Sequence, residues 1–359
     1  MYDRIPVWAW PAQVIFYRGV YMGDKVRLAD IAEKTGVSIV SVSKALSGKG
    51  GVSRQKLEEI KKVAKELGYE PHTYAARHPS KNIGVICRES YLTRFYSFYW
   101  QMYQDMNKTA SLMGSFAMLE VITSDMERSV EMPRLLAEGK VDACIVVGNM
   151  ADDYLAALRK GFDIPLVYLD FMGTDPDMDC VVSDSFYGAY AMTNYLYDMG
   201  HTKIAYVGTL MATGSITDRY LGYQKSVLEH GGKIRKEWVI DDRDAKTGLT
   251  DAEKMLTLPK EMPTAFFCNC DLTAALLIKK LEKSGYRVPK DISVAGYDNY
   301  TYPGICETEI TTYEVDLEEM SKQAVEIALN NVWGEDYKKG LHIVCGKLVE
   351  KESVKKLHS

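Results

Sequence analysis

Residues 27–69, RLADIAEKTGVSIVSVSKALSGKGGVSRQKLEEIKKVAKELGY, hold three short helical patterns separated by turn signals. Leu28, Ile31 and Ala32 recur on one face of the first, which should end at Gly36, since glycine enters a left-handed turn without a steric cost. Two residues on, Ser38 is placed to cap a second helix whose Val42, Ala45 and Leu46 pack back on the first. After the Gly48-Lys49-Gly50-Gly51 loop, Ser53 can cap a third helix, with Leu57, Ile60, Val63, Ala64 and Leu67 facing inward and Gly68 stopping it. The arrangement is a helix-turn-helix with a third, supporting helix.

A short second helix held by a tight turn fits the roughly 12 Å major groove of DNA, while flanking amides and hydroxyls can hold phosphates. Ser38, Ser41, Ser43, Lys44, Ser47 and Lys49 supply such groups. A three-helix bundle with no nucleic-acid role would show the same periodicity, so charge bears on the choice. Residues 22–81 carry 12 basic against 7 acidic side chains, whereas residues 82–359 carry 30 against 41. A basic head on an acidic body suits a head that meets phosphate.

The ordered run Leu28-x-Asp30-Ile31-Ala32-x-x-x-Gly36-Val37-Ser38-x-x-x-Val42-Ser43-x-Ala45-Leu46-x-Gly48, then Val52-Ser53, then Leu67-Gly68-Tyr69-x-Pro71, resembles the lactose/galactose repressor (LacI/GalR-type) family of bacterial transcription regulators. The resemblance implies a DNA-binding set of Ser38, Ile39, Val40, Ser41, Ser43, Lys44, Ser47, Ser53, Ala75 and Arg77, with Ile39 and Val40 at the base-reading positions. Neither can hydrogen-bond to a base, so contact with thymine methyl groups and indirect readout are expected. The family follows Tyr-x-Pro with a short hinge helix that wedges a side chain into the minor groove. Here Ala75 and Arg77 fit that pattern, but His78 stands at the wedge position and the tether is several residues short.

From Asn82 onward apolar runs alternate with helical patterns. The runs are Ile83–Ile86, Phe116–Leu119, Cys144–Val147, Leu166–Leu169, Ile204–Val207, Ala265–Cys268 and Ser293–Tyr297. Such alternation predicts parallel sheets covered by helices on both faces, and a break near residues 183–203 divides the body into two lobes. The fold expected is therefore α/β: an N-terminal three-helix helix-turn-helix head and a two-lobed, periplasmic-binding-protein-like core with parallel sheets. The boundaries read as a 1–24 tail, a 25–69 DNA-binding domain, a 70–81 hinge, an 82–345 effector-binding and dimerisation core, and a 346–359 C-terminal tail. Met22, just before the first helical pattern, is an alternative start for translation.

Ligands in such folds lie beyond the carboxyl ends of strands, where Asp170-Phe171, Thr209 to Arg219, Asn269 to Asp271 and Asp298-Asn299 fall. Carboxylates, an arginine and aromatic faces suit a polyhydroxylated or heterocyclic molecule. The runs Gly200-His201-x-x-Ile204-Ala205, Arg219-x-x-Gly222-Tyr223, Val288-Pro289-x-Asp291-Ile292-Ser293 and Gly296-Tyr297-Asp298-Asn299 extend the family resemblance over this core. It implies effector contacts at Phe98, Tyr99, Phe171, Asp184, Ser215, Arg219, Phe267 and Asp298, with a sugar as the default effector. Asp184 reads equally as a cap on the following helix, and Phe98 and Phe267 as core packing. The expected partners are an operator duplex, the small-molecule effector and a second copy of the chain, in the cytoplasm. A small-molecule binding protein that has lost specific DNA binding is the alternative.

Other classes lack their signatures. No run approaches the ~20 apolar residues of a membrane span. Asp3, Arg4, Pro6 and Pro11 interrupt the apolar start that an exported sugar-binding protein would need. Ile83-Gly84-Val85 continues without a glycine-rich phosphate turn, and there is no Walker lysine, His-Glu-x-x-His or Gly-x-Ser-x-Gly, so no enzyme, cofactor or metal is expected. Cys268-Asn269-Cys270 has no second ligand pair for zinc, and the seven scattered cysteines suit a reducing compartment. His201 reads as structural.

Overall fold

A computed structural model describes residues 26–46, 52–67, 78–92, 98–173, 175, 177–244, 255–300 and 306–357. The chain divides into two compact units, Met1–Arg77 and His78–Ser359. In the first, α1 (Leu28–Thr35), α2 (Ile39–Leu46) and α3 (Arg54–Leu67) surround a core of Ile31, Ala32, Val42, Ala45, Ile60 and Ala64. The inward faces are those the helical spacing marks. Gly36 ends α1 in the left-handed region at φ 66°, with its N–H on the Ala32 carbonyl. Ser38 Oγ accepts the Ser41 N–H at 3.1 Å and Ser53 Oγ the Lys56 N–H at 3.3 Å, so both serines cap as their position predicts.

The second unit is built on two parallel sheets. Lobe 1 has the order β11-β5-β4-β3-β1-β2, from β1 (Asn82–Arg88), β2 (Phe116–Ile122), β3 (Ala143–Val147), β4 (Leu166–Leu169), β5 (Asp179–Ser183) and β11 (Leu341–Val344). Lobe 2 has β7-β6-β8-β9, from β6 (Ile204–Val207), β7 (Val239–Ile240), β8 (Ala265–Cys268) and β9 (Ser293–Ala295). An antiparallel pair, β10 (Thr312–Glu314) with β12 (Lys347–Val349), lies beside them. Every pairing within the two sheets is parallel, and β1, β3, β4, β6 and β8 are buried almost throughout, as strands covered on both faces must be.

The principal helices after α3 are α4 (Phe98–Leu112), α5 (Asp152–Gly161), α6 (Ser185–Asp198), α7 (Gly214–Glu229), α8 (Asp271–Lys283) and α9 (Leu317–Trp333). In lobe 1, α4 and α9 cover one face of the sheet and α5 the other; in lobe 2, α6 and α7 cover one face and α8 the other. Gly222 makes the α6–α7 contact possible, because a Cβ there would stand 2.1 Å from the Phe186 carbonyl oxygen. The glycine of the Arg219-x-x-Gly222 run thus lets α7 sit close enough to aim Arg219.

The backbone passes between lobes three times, at Asp184, at Val315–Asp316 and at Cys345–Gly346. The segment read from sequence as a C-terminal tail is integrated instead. Residues 347–349 pair with β10, Ser353 Oγ donates to the Val294 carbonyl, and His201 Nε2 meets the Lys355 carbonyl at 3.1 Å. Short polar runs without periodicity give no strand signal, so this addition to lobe 2 is visible only once β9 and β10 are in place. The seven cysteines are unpaired. No helix among the described residues is long and apolar enough to cross a membrane.

Candidate functional site

At the start of α2 the structure leaves Ile39 52% and Val40 62% exposed, while Val42 and Ala45 are buried. Helical spacing accounts for the split: with 42 and 45 inward, 39, 40, 43 and 44 point away from the head core, and Ser43 and Lys44 are exposed beside them. Two large apolar side chains held outward at the first turn of a capped helix have no role in this core. Ser47, Ala75 and Arg77, also expected at DNA, lie outside the described residues.

In the core unit, side chains from both lobes meet around Arg219. Its guanidinium lies 3.7 Å above the Tyr297 ring, Nη1 donates to the Asn269 carbonyl at 2.5 Å, and Nη1 stands 3.2 Å from Asp298 Oδ1. Nε is buried without a hydrogen-bond partner among the described residues. From lobe 1, the Tyr99 hydroxyl donates to Asp170 Oδ2 at 2.9 Å, Tyr91 stacks on Tyr99, and Phe98 meets Tyr99 edge-on. Phe98 also reaches Tyr300 of lobe 2, ring centroids 6.4 Å apart.

The two carboxylates share a backbone feature. Asp170 has φ 68° and Asp298 φ 100°, left-handed conformations that cost a non-glycine residue about 1–2 kcal/mol. Asp170 directly follows β4 and Asp298 lies three residues beyond β9, each on the lobe surface that faces Arg219. Burial, with Asp170 nearby, pushes the Asp298 carboxyl up to about 7 against the pull of Arg219. Burial also raises Asp170, opposed by Arg219 and by the Tyr99 hydrogen bond. Arg219, although buried, is held above its ordinary value chiefly by Asp298. The guanidinium therefore keeps its charge, and Asp298 is the carboxyl brought to titrate near neutrality.

Of the residues named as effector contacts, Phe98, Tyr99, Arg219 and Asp298 fall in this group. Ser215 sits in the first turn of α7, its hydroxyl 3.0 Å from that of Thr213, which caps the helix. Phe171 is turned away: the left-handed Asp170 sends it back onto Tyr168, ring centroids 4.6 Å apart, in the lobe 1 core under α5. Asp170, its neighbour in sequence, faces Arg219 instead. Phe267 has no exposed surface and packs edge-on against Tyr206 beneath α6 and α7.

Asp184 neither joins the group around Arg219 nor caps α6 with its side chain. One carboxylate oxygen accepts the Tyr313 hydroxyl at 2.8 Å and the other the Gly346 N–H at 3.2 Å, while its own N–H donates to Val344. Gly346 belongs to the third crossing and Tyr313 stands in β10 two residues before the second, so Asp184 ties all three together at the axis about which the lobes can turn.

A second polar cluster lies at the ends of β6, β7 and β8; the strand ends legible in the sequence mark its Thr209 and Asn269 but not the Asp242 and Arg243 at its centre. Asp242 is fully buried and accepts from Thr209, Asn269 and Thr273, with Arg243 Nη2 2.8 Å away. Burial alone would raise Asp242, yet the Arg243 charge and these donors hold it at about 2. Its stabilising contribution is thus present above the ordinary aspartate range and lost as pH falls through about 2. Asp242→Ala leaves Arg243 without its counter-charge and should cost about 3–5 kcal/mol in a urea melt at pH 7. The difference from the unaltered chain should shrink in melts taken near pH 2. A two-residue strand, β7, presents this aspartate, too short for any periodicity to reveal.

A helix-turn-helix head joined to a two-lobed core, with a charged and aromatic group where the lobes face each other, defines an effector-responsive, DNA-binding transcription regulator. Residues 27–72 match the bacterial regulatory proteins of the lacI family, and residues 193–354 match the periplasmic binding protein-like domain. The HTH-type transcriptional repressor PurR of Aliivibrio salmonicida is 27% identical over 335 residues, 92% of this chain and 99% of that protein. PurR of Vibrio vulnificus is likewise 27% identical, over 92% and 99%. Among solved structures, the lac repressor dimer bound to operator and the anti-inducer ONPF aligns with TM-score 0.64 at 22% identity, covering 92% of this chain and 99% of that one. The complex of the transcriptional regulator CelR with cellobiose aligns with TM-score 0.65 at 23% identity, over 92% and 100%. The chain thus carries a lacI-family helix-turn-helix head and a periplasmic binding protein-like core domain.

Proposed function

We propose that this regulator is a cytoplasmic repressor that binds a nearly palindromic operator as a homodimer and changes its grip when a sugar enters the group around Arg219. The exposed Ile39-Val40 pair at the capped start of α2 carries the DNA part of the reading. Two apolar side chains there suit thymine methyl groups, and the hydroxyls and ammonium of Ser38, Ser41, Ser43, Lys44 and Ser53 suit phosphates, while Ser47, Ala75 and Arg77 complete the DNA-binding set that the family motif implies. Twofold DNA matches a twofold protein, and the lac repressor structure is that of a dimer on its operator.

Arg219, Asp298, Asp170 and Tyr99 offer paired donors and acceptors for hydroxyls, and Tyr91 and Phe98 offer ring faces for the apolar side of a sugar. CelR is a relative in fold with a disaccharide bound. Ser215 stands at the edge of this group, and Phe171 and Phe267 support it from the cores behind. A ligand that bridges Asp170 of lobe 1 and Arg219 of lobe 2 fixes the angle between lobes about the Asp184 axis, shifting operator affinity by about 1–3 kcal/mol.

Selection of the purified chain against a random duplex pool at about 100 mM salt tests the reading, because non-specific phosphate binding is already weakened there. Enrichment of a palindrome is expected. Enrichment of nothing by a folded dimer would overturn it in favour of a small-molecule binding protein that no longer reads DNA. Repeating the selection with Val40→Gln should move the preference at one position toward adenine, by about 1–3 kcal/mol, as a side chain able to pair with adenine replaces one that is not. An unchanged preference would remove Val40 from the reading face.

A further inference from the structure

His78 is the first residue of the core unit, and it is fastened there. Its imidazole stacks on the Trp333 indole, ring centroids 4.2 Å apart and planes 17° from parallel. Trp333 Nε1–H donates to the Pro79 carbonyl at 3.2 Å, and His78 Nε2 lies 3.7 Å from a Glu335 carboxylate oxygen. Only 15% of the His78 side chain is exposed. Two consecutive residues are thus held to one end of α9 by a ring stack, a hydrogen bond and a charged neighbour.

The platform is rigid. Gly334 closes α9 in the left-handed region at φ 72°, its N–H on the Asn330 carbonyl, so the indole projects from a capped helix end. Trp333 packs against the apolar core that α4 and α9 share. Pro79 locks one backbone rotation. Two residues on, Lys81 pairs with Asp142 at 2.9 Å while its N–H donates to Ser115 Oγ. At its other end α9 is capped by Asp316, immediately after the second crossing between lobes.

We propose that His78 and Trp333 form a clamp that fixes where the linker leaves the core, and that both are positioning residues for operator recognition. The proposal rests on the operator reading above. Specific binding needs two heads in register on two half-sites, and each residue released from the core lengthens the tether and dilutes the second head. Contact with phosphates alone needs no register, so it should not depend on the clamp. With its ring stacked on Trp333, His78 is held by the core and withdrawn from any groove. Because α9 runs from the second crossing to the clamp, a turn of the lobes is delivered to the same point.

The test uses the full chain and two probes, the selected palindromic duplex and a scrambled duplex of equal length. Trp333→Ala and His78→Ala should each weaken binding to the palindrome about tenfold or more, leave the scrambled duplex within about twofold, and Trp333→Phe, which keeps a ring for His78, should recover most of the loss. Equal weakening on both duplexes, or none on the palindrome, overturns the proposal. Amide exchange over residues 78–82 should quicken about tenfold in Trp333→Ala while the rest of the core is unchanged. Unchanged exchange overturns the clamp even if no duplex is selected, so failure of the operator reading is told apart from failure of the clamp. Should Trp333→Ala not fold, His78→Ala, which lies outside every helix and strand, carries both measurements.

Discussion

Arg219→Ala is expected to abolish the response of operator affinity to the effector while leaving effector-free operator affinity in place. Arg219 touches Asp298, the Asn269 backbone and the Tyr297 ring together, and its buried Nε lacks a partner among the described residues. Two charge-assisted hydrogen bonds to a ligand contribute about 1.5–3 kcal/mol each, so effector affinity should fall about 100-fold or more. Removing half of a buried ion pair usually unfolds a site, because an unpaired charge remains. Here the remaining Asp298 already titrates at about 7, so it takes up a proton instead of standing charged and alone. A thermal-shift panel of mono- and disaccharides, cellobiose included, identifies a sugar that the unaltered chain binds. Operator titrations with and without that sugar then decide. Loss of operator binding together with the response would make Arg219 a structural residue.

The second large effect is expected at the other end of the chain. Ile31→Ala should unfold the head and erase DNA binding, with the core's unfolding midpoint and effector binding unchanged. Three of the six buried residues of the head core are alanines, which leaves Ile31, Val42 and Ile60 to supply most of its apolar volume. Truncating a buried isoleucine costs about 2–5 kcal/mol, and a domain this small rarely holds more than about 3–5 kcal/mol in reserve. Circular dichroism and amide exchange over α1 to α3, beside duplex binding, provide the check. Native-like duplex affinity in this variant would mean that the head draws its stability from something other than this core.

Much of the candidate DNA-reading face was legible because its causes are local. Ser38 and Ser53 cap helices through amides three residues away, and the outward placement of Ile39 and Val40 follows from Val42 and Ala45 facing inward on one short helix. The core group was legible in part. Strand ends pointed to Asp298, and the Arg219-x-x-Gly222 run to Arg219, whose aim depends on the close approach that Gly222 allows. Asp170 and Phe171 are the instructive pair. Both follow β4, and which of them faces the opposite lobe depends on one backbone torsion that a pattern of apolar residues does not specify.

Taken by itself, the sequence determined the helix-turn-helix, the α/β alternation and its parallel sheets, and the lacI-type motif of the head, since each depends on spacings of two to four residues or on an ordered motif. Tertiary structure alone decided that Asp184 ties the three crossings through Tyr313, 129 residues away, and that Asp242 is satisfied by Thr209 and Asn269. It likewise decided that the segment after Cys345 completes lobe 2, and that His78 is held by Trp333 instead of projecting from the linker. The physical reason is common to all four. A polar or aromatic side chain carries no periodicity, and its partner is chosen by which strands and helices closure of the chain brings alongside.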